Sequence, residues 1–189
     1  LRFTPGTAYA YSNTGFYLLG AVAEKVLSQP LADIFDEWII EPLELENTFY
    51  DDFSDRQNRI PGLAENDRSY EYHLSAVAGA GAMVSTPTDI LKFGQAVYGG
   101  TFVTPEHAEA MQTDVAAKLG GDDYGLGTRI WYDNDVHHLG HTGSLMDYRS
   151  ILMHVPEHDI YISLATQDAH RNWYDLVNGL LVEVVRLYE

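Results

Sequence analysis

The chain has no cysteine among its 189 residues, which excludes disulfides, thiolate metal sites and a cysteine nucleophile. Lysine is almost as scarce, since only Lys25, Lys92 and Lys118 are present. No apolar run approaches the roughly 18 residues that a transmembrane helix needs. The sequence starts at Leu1 rather than at a methionine, and no signal-peptide pattern follows.

Negative charge dominates the composition, with 28 Asp and Glu against 11 Lys and Arg and a formal net charge of −17. Such a field repels nucleic acid and anionic lipid, so neither is expected as a partner. The hydrophobic fraction of 46% is that of an ordinary globular protein. The acidic surplus is therefore interpreted as a soluble surface, with adaptation to salt as the alternative.

Apolar spacing predicts that the first half of the chain is mostly helical. A first helix runs from Phe16 to Gln29-Pro30, and a second covers residues 31–39 and ends before Pro42. Thr86-Pro87 and Thr104-Pro105 each join a hydroxyl cap to a proline in the first turn, which predicts two more helix starts. Residues 50–75 are polar and irregular and are expected to cross the surface. The predicted buried positions of the first helix are Phe16, Leu19, Ala23, Val26 and Leu27.

After Tyr124 the sequence becomes rich in β-branched and aromatic residues, which predicts strands over 127–133, 136–141, 148–155 and 160–166. A turn at 156–159 makes the last two an antiparallel hairpin. A helix from about Asn172 closes the chain. The predicted fold is α/β in the α+β sense, with a mostly helical subdomain over 1–123 and an antiparallel sheet with a C-terminal helix over 124–189. So few strands leave an open edge, which suggests that further strands belong beside them. The predicted apolar face of the closing helix comprises Trp173, Leu176, Val177, Leu180, Leu181 and Val184.

Two short motifs suggest chemistry. In the first, Tyr11-Ser12-Asn13, the outer side chains lie two residues apart just before a helix, so both can point into one site. The second, His141-Thr142-Gly143-Ser144, ends a predicted strand, where the glycine lets a ligand or another backbone lie close. Taken alone, the first motif is as well explained by a tyrosine packed against the core, and the second by a simple turn.

Other blocks agree with these motifs in order and spacing, namely Phe3-Thr4-Pro5-Gly6, residues 18–20, residues 78–83 and Tyr124-Gly125-Leu126-Gly127. Together they resemble the class C β-lactamase and D-alanyl-D-alanine carboxypeptidase group of serine hydrolases, which also contains D-aminopeptidases and esterases. The resemblance covers nearly the whole chain and implies a β-lactamase/transpeptidase-like fold. It also implies an acyl-transfer site whose nucleophile comes from a Ser-x-x-Lys helix.

By this resemblance, Tyr11 would move the proton of the nucleophile and Asn13 would hydrogen-bond the substrate amide. Ser144 would donate its backbone N–H to the oxyanion hole. The reaction that the resemblance implies is acylation of a serine by an amide or ester, followed by hydrolysis, and that mechanism requires no metal or organic cofactor. The resemblance implies D-amino peptides, esters or β-lactams as substrates and leaves the choice among them open.

The resemblance also places His141 where many family members have lysine, with Thr142 and Gly143 lining the substrate. Histidine is largely neutral at pH 7, so this form is more similar to D-alanyl-D-alanine carboxypeptidases and D-amino-acid peptidases than to dedicated β-lactamases. Arg149, just downstream, is the candidate to supply the missing positive charge.

The nucleophile motif itself is absent, because the residues three positions before the lysines are Val22, Asp89 and Val115. The resemblance places Ser-x-x-Lys several tens of residues upstream of Tyr11. We therefore expect a fragment that is inactive alone and that is completed by a missing N-terminal segment or by a complementing chain. Family members act mostly outside the cytoplasm, so a periplasmic or secreted location is expected, with a cytoplasmic one still open.

Two other interpretations stay open. A non-catalytic binding module or pseudo-enzyme of the same fold would bind D-amino peptides or a partner chain without hydrolysis. A metal site is the other, because five histidines cluster in sequence. Adjacent strand residues point to opposite faces, however, and no His-Glu-x-x-His is present. These histidines are His137, His138, His141, His154 and His158.

Overall fold

The computed structural model describes residues 2–51, 74–121, 123–168 and 172–188. Helices fill most of the first part and an antiparallel sheet backed by a helix follows, which confirms the predicted mixed architecture. The predicted surface excursion over 50–75 lies almost entirely outside the described residues. The division at residue 123 stays a prediction. Within the described chain, none of the helices has the length and hydrophobicity needed to cross a bilayer.

Among its described residues, the helical part has four α-helices, two 3-10 segments and a pair of two-residue strands. The α-helices are α1 Asn13–Leu27, α2 Leu31–Phe35, α3 Pro87–Tyr98 and α4 Pro105–Gln112, and α2 continues as a π-helix over Asp36–Ile40. The 3-10 segments are Leu74–Ala80, which is kinked at Ala78, and Ala117–Leu119. The short strands, β1 Phe49–Tyr50 and β2 Met83–Val84, pair antiparallel.

Both predicted helix starts are confirmed at the level of individual hydrogen bonds. The hydroxyl of Thr86 accepts the Asp89 N–H at the start of α3, and the hydroxyl of Thr104 accepts the His107 N–H at the start of α4. Each proline follows directly, where its missing N–H costs nothing.

Asp89 is a buried carboxylate that joins α3 to the segment before β1. Its Oδ2 accepts the Asn47 N–H at 2.7 Å and the Thr48 hydroxyl at 2.9 Å. The Thr48 hydroxyl also lies 2.7 Å from that of Ser85. A buried carboxylate is tolerated when its oxygens are hydrogen-bonded in this way.

The sheet has the order β3-β4-β5-β6, with every neighbouring pair antiparallel. All four predicted strands are confirmed, together with the hairpin formed by the last two. One boundary was wrong, because β4 continues past His141 and places residues 141–144 inside a strand rather than at its end. The strands are β3 Arg129–Asp133, β4 Val136–Leu145, β5 Tyr148–Val155 and β6 Ile160–Thr166.

One face of the sheet packs against the closing helix, α5 Trp173–Arg186, to form the main apolar core. The buried helix positions repeat every four residues at Trp173, Val177, Leu181 and Val185. Leu176 was predicted to be buried but is 60% exposed, because it lies outside this repeat. The opposite face receives α3, where Gly94 fits directly over Leu152.

The predicted buried face of α1 is wrong. Leu19 and Val26 are 62% and 74% exposed. The helix instead buries Gly20, whose missing side chain leaves room for Gly79 and Leu31. The apolar stripe and the packed face differ because close backbone approach depends on small residues, which hydrophobic periodicity does not register.

Candidate active site

The loop before α1 holds Tyr11 against the strand that carries His141. Ser12 is the N-cap of α1, and its hydroxyl accepts the Gly15 N–H at 3.3 Å. Asn13 is therefore the first helical residue, exposed at the helix start. The helix begins three residues earlier than predicted because a serine hydroxyl is a strong cap.

Three aromatic rings from distant parts of the chain meet at the predicted site. The Tyr11 ring lies 5.9 Å from the His141 ring and 5.9 Å from the Tyr124 ring, measured between centroids. Tyr124 meets His141 edge-on at 5.8 Å. Two predicted site residues, Tyr11 and His141, are thus in contact, and a third ring, that of the buried Tyr124, was given no role from the sequence.

Both nitrogens of the His141 imidazole are hydrogen-bonded. Nδ1 lies 2.8 Å from the Thr142 carbonyl oxygen, and Nε2 lies 2.9 Å from the Tyr124 hydroxyl. Burial lowers the pKa of His141 below its ordinary 6.5, the Thr142 carbonyl opposes this, and the Arg129 charge lowers the pKa further. His141 is therefore neutral at pH 7.

Tyr124 is buried, with only 6% of its surface exposed, and packs against Tyr9 at 5.8 Å. Burial raises the pKa of its phenol above the ordinary value of 10, and the neighbouring Tyr11 and Tyr9 raise the pKa further. The phenol is therefore protonated at neutral pH and able to donate. Tyr124 belongs to the family-like Tyr-Gly-Leu-Gly block of the sequence, but nothing local to that block indicates that its hydroxyl reaches β4.

Arg129 places a cation at the site. Its guanidinium carbon lies 5.3 Å from the centroid of the Tyr11 ring, within cation–π range. Its Nε is buried and has no hydrogen-bond partner among the described residues. The sequence predictions did not include Arg129, because only the tertiary structure brings the start of β3 to Tyr11.

The other cation candidate, Arg149, is engaged in a turn. Its Nη1 donates to the carbonyls of Met146 and Tyr148 at 2.7 and 2.8 Å, which holds the connection between β4 and β5. The binding role assigned to Arg149 stays a prediction. Arg129 is the cation that lies against the Tyr11 ring.

The remaining predicted site residues follow His141 along β4. Thr142, Gly143 and Ser144 pair with residues 151, 150 and 149 of β5. A β-carbon at Gly143 would meet the Ser150 hydroxyl oxygen, so any side chain there would require the Ser150 side chain to turn away. Ser144 is exposed. The predicted roles of these residues stay predictions.

The histidines do not form a metal-binding group in the described part of the chain, where no cluster of three or more His, Asp or Glu side chains is suited to a metal ion. The strand pairing sets His137 opposite Tyr132 and His138 opposite Trp131, so the two histidines lie on opposite faces. Each stacks on its aromatic partner, at 4.8 and 5.2 Å respectively.

Comparison with known proteins adds a family to this geometry. The family model described as Beta-lactamase matches residues 1–186. The chain belongs to the β-lactamase family. It is 32% identical over 114 residues to the D-alanyl-D-alanine-carboxypeptidase/endopeptidase AmpH of Escherichia coli (strain K12), a match that covers 60% of this chain and 29% of that protein. It is 25% identical over 190 residues to a penicillin-binding protein of Bacillus subtilis (strain 168), covering 88% of this chain and 42% of that protein.

Solved structures of this fold superpose along nearly the whole chain. The D-amino acid amidase from Ochrobactrum anthropi SV3, in complex with L-phenylalanine amide, gives a TM-score of 0.84 at 21% identity. The superposition covers 99% of this chain and 60% of the amidase. At this identity the likeness shows the fold, which is the predicted β-lactamase/transpeptidase-like one. The chain spans less than half the length of the two curated relatives it matches.

Proposed function

We propose that this chain forms the Tyr-x-Asn and His-Thr-Gly part of a serine-hydrolase active site that cleaves amides or esters. The main support is the contact between the Tyr11 and His141 rings, with the Arg129 guanidinium against the same tyrosine ring. The names of the relatives, a D-alanyl-D-alanine carboxypeptidase and a D-amino acid amidase, support D-amino-acid amides and peptides as substrates, with esters and β-lactams as further candidates.

The proposed reaction proceeds through an acyl-enzyme. A serine hydroxyl attacks the substrate carbonyl carbon while Tyr11 takes its proton, and the Ser144 N–H stabilises the negative oxygen that forms. The C–N or C–O bond then breaks, and the proton passes to the leaving amine or alcohol. Water attacks the serine ester and releases the acid. Asn13 holds the substrate amide at the start of α1.

A substrate carboxylate would be held by Arg129 rather than by His141. The imidazole is neutral because burial and the Arg129 charge lower its pKa. Arg129 carries a permanent charge and an Nε without a partner among the described residues. In the complete protein, Arg129→Gln is therefore expected to raise KM for substrates with a free carboxylate more than for neutral esters.

The attacking serine must come from polypeptide outside these residues, since the chain has no Ser-x-x-Lys. An apolar strip of α1 supports contact with such a segment. It is formed by Leu18, Leu19, Val22 and Val26, all more than half exposed. Large exposed apolar patches commonly mark interaction sites. We propose that the nucleophile-bearing segment, covalently joined or a separate chain, covers this strip.

Covalent labelling tests the proposal. The 189-residue chain and a protein that adds the upstream Ser-x-x-Lys segment are each treated with fluorescent penicillin and with a fluorophosphonate. The expected result is an adduct on the longer protein alone. An adduct on the isolated chain would show that the nucleophile lies within it and would overturn the missing-segment proposal.

A matched tyrosine pair tests the role of Tyr11. In the longer protein, Tyr11→Phe is expected to slow acylation about 10²-fold to 10⁴-fold, the usual contribution of a general base. Tyr17→Phe is the control, because Tyr17 is a similarly exposed tyrosine on α1 that is given no role in the site. Equal rates for the two variants would remove Tyr11 from the mechanism.

A binding module of the same fold is the second candidate, favoured by the missing nucleophile motif. It predicts that the longer protein binds D-alanyl-D-alanine peptides, measured by calorimetry, without forming an adduct or turning over substrate. Export to the periplasm or the medium remains a proposal under either candidate.

A further inference from the structure

The hydrogen bonds of His141 determine its proton arrangement. The Thr142 carbonyl at 2.8 Å from Nδ1 is an acceptor only, so Nδ1 must carry the hydrogen that joins them. In a neutral imidazole the other nitrogen, Nε2, is then a bare acceptor. The Tyr124 hydroxyl, 2.9 Å away, is able to donate to it.

We infer that Tyr124 is a positioning residue whose hydroxyl donates to Nε2 of His141 and, together with the Thr142 carbonyl, fixes the imidazole as its Nδ1–H tautomer. This tautomer is contrary to the one that free histidine prefers, so the two hydrogen bonds are needed to hold it. The tautomer does not depend on what the protein catalyses. Its consequence for substrates rests on the proposed function.

The surroundings of His141 favour this arrangement. Tyr11 faces the imidazole from the segment before α1, Arg129 from β3 and Tyr124 from the segment before β3. The strand partner on β5 is the apolar Leu152. The one full charge in this set is positive and lowers the pKa of His141, as burial does, so the imidazole stays neutral and Nε2 stays an acceptor.

The occupied Nε2 has two consequences. Tyr11 contacts the His141 ring, but Thr142 and Tyr124 occupy the two imidazole nitrogens. The Tyr11 hydroxyl therefore stays available to the nucleophile. A substrate group that replaces Tyr124 at Nε2 must be a donor, an N–H or an O–H. A carboxylate only accepts hydrogen bonds and so cannot bind Nε2; under the proposed function it lies at Arg129 instead.

Nitrogen NMR of the 189-residue chain tests the tautomer. In long-range ¹H–¹⁵N spectra at neutral pH, Nε2 of His141 is expected at the shift of an unprotonated imidazole nitrogen and Nδ1 at that of a protonated one. His141→Gln assigns the signals by their loss. In Tyr124→Phe the Nε2–H form is expected to appear, and the titration midpoint of His141 to rise, because the neutral form loses a hydrogen-bond donor.

Tyr132→Phe is the matched control. It removes a phenolic hydroxyl from a tyrosine that is 66% exposed and stacks on His137 rather than on His141. It is expected to leave both His141 signals in place. Unchanged His141 shifts in Tyr124→Phe would overturn the positioning role.

The wild-type spectrum decides the matter even if Tyr124→Phe does not fold, since a protonated Nε2 in the wild type contradicts the inference outright. The measurement needs no nucleophile and no substrate. If the labelling experiment fails, the inferred tautomer is unaffected. If the tautomer is wrong, the proposed hydrolase activity is unaffected.

Discussion

Gly79 lies so close to the carbonyl oxygen of Phe16 that a β-carbon on Gly79 would be only 2.6 Å from it. The same glycine faces Gly20, where its backbone nitrogen would be 3.3 Å from a β-carbon. Through this contact, α1 packs closely against the 3-10 segment Leu74–Ala80. Because Tyr11 and Asn13 are at the start of α1, the glycine contact also sets where the Tyr-x-Asn motif lies.

Gly79→Ala is expected to push α1 away from this segment and to destabilise the protein by about 1–3 kcal/mol, the usual cost of overpacking. Denaturant unfolding measures the loss. Gly15→Ala is the control in the same helix, because a β-carbon there meets nothing closer than 3.9 Å. Equal stabilities of the two variants would contradict the close packing.

The same substitution is expected to disturb the site. A displaced α1 moves Tyr11 away from Tyr124, so the His141 signals in the nitrogen spectra should shift in Gly79→Ala and stay in place in Gly15→Ala. Unmoved signals in a destabilised Gly79→Ala protein would show that α1 and the site are not coupled.

The buried carboxylate of Asp89 gives a second prediction. Asp89→Asn weakens the hydrogen bonds from Asn47 and Thr48 by removing their charge assistance, so a loss of about 1–3 kcal/mol in unfolding free energy is expected. Asp135→Asn makes the same change in the exposed turn between β3 and β4, where φ is 65°. Asparagine tolerates that conformation, so a change within about 0.5 kcal/mol is expected there.

Acid should destabilise the protein in the range where histidine titrates. Burial lowers the pKa values of His138, His141 and His154 below 6.5, each with burial as the largest cause. The unfolded chain therefore binds protons that the folded chain does not. Stability is complete above about pH 6.5 and falls as the pH drops below it. Melting temperature measured against pH checks this decline.

A substitution at His154 measures one part of the loss of stability with acid. Its ring stacks between Tyr98 at 5.6 Å and Tyr161 at 4.3 Å, and its Nδ1 is buried without a partner among the described residues. His154→Phe keeps the stack and removes the titrating group, so the decline with acid should become shallower. If the stability of His154→Phe falls with acid as steeply as that of the wild type, His154 titrates alike in the folded and unfolded states.

Salt is expected to stabilise the protein. With a net charge of −17, the folded chain repels itself, and raising NaCl from ~0.1 M to ~1 M shortens the screening length from ~10 Å to ~3 Å. The melting temperature should rise over this range. Near pH 4.6, the isoelectric point, the net charge approaches zero and the gain should shrink. A rise of equal size at both pH values would indicate a salt effect other than screening.

The predictions from sequence were most accurate where the signal is local. Strand composition located β3 to β6, and the hydroxyl–proline pairs located the starts of α3 and α4, because these patterns act within a few residues. They failed at Leu19, Val26 and Leu176, where burial depends on which distant surface the helix meets. The apolar stripe on α1 shows only where hydrophobic residues lie. The face of α1 that packs is the one where Gly20 meets Gly79.

Sequence patterns alone located the four strands of the sheet, the starts of α3 and α4, and the family motifs that contain Tyr11 and His141. Only the tertiary structure brought Tyr124 to Nε2 of His141 and Arg129 to the Tyr11 ring, and only it exposed the apolar strip of α1. The reason is physical. Caps, turns and strand propensities are properties of neighbouring residues, whereas a hydrogen bond or ring contact between distant segments exists only after the sheet and α1 have packed together.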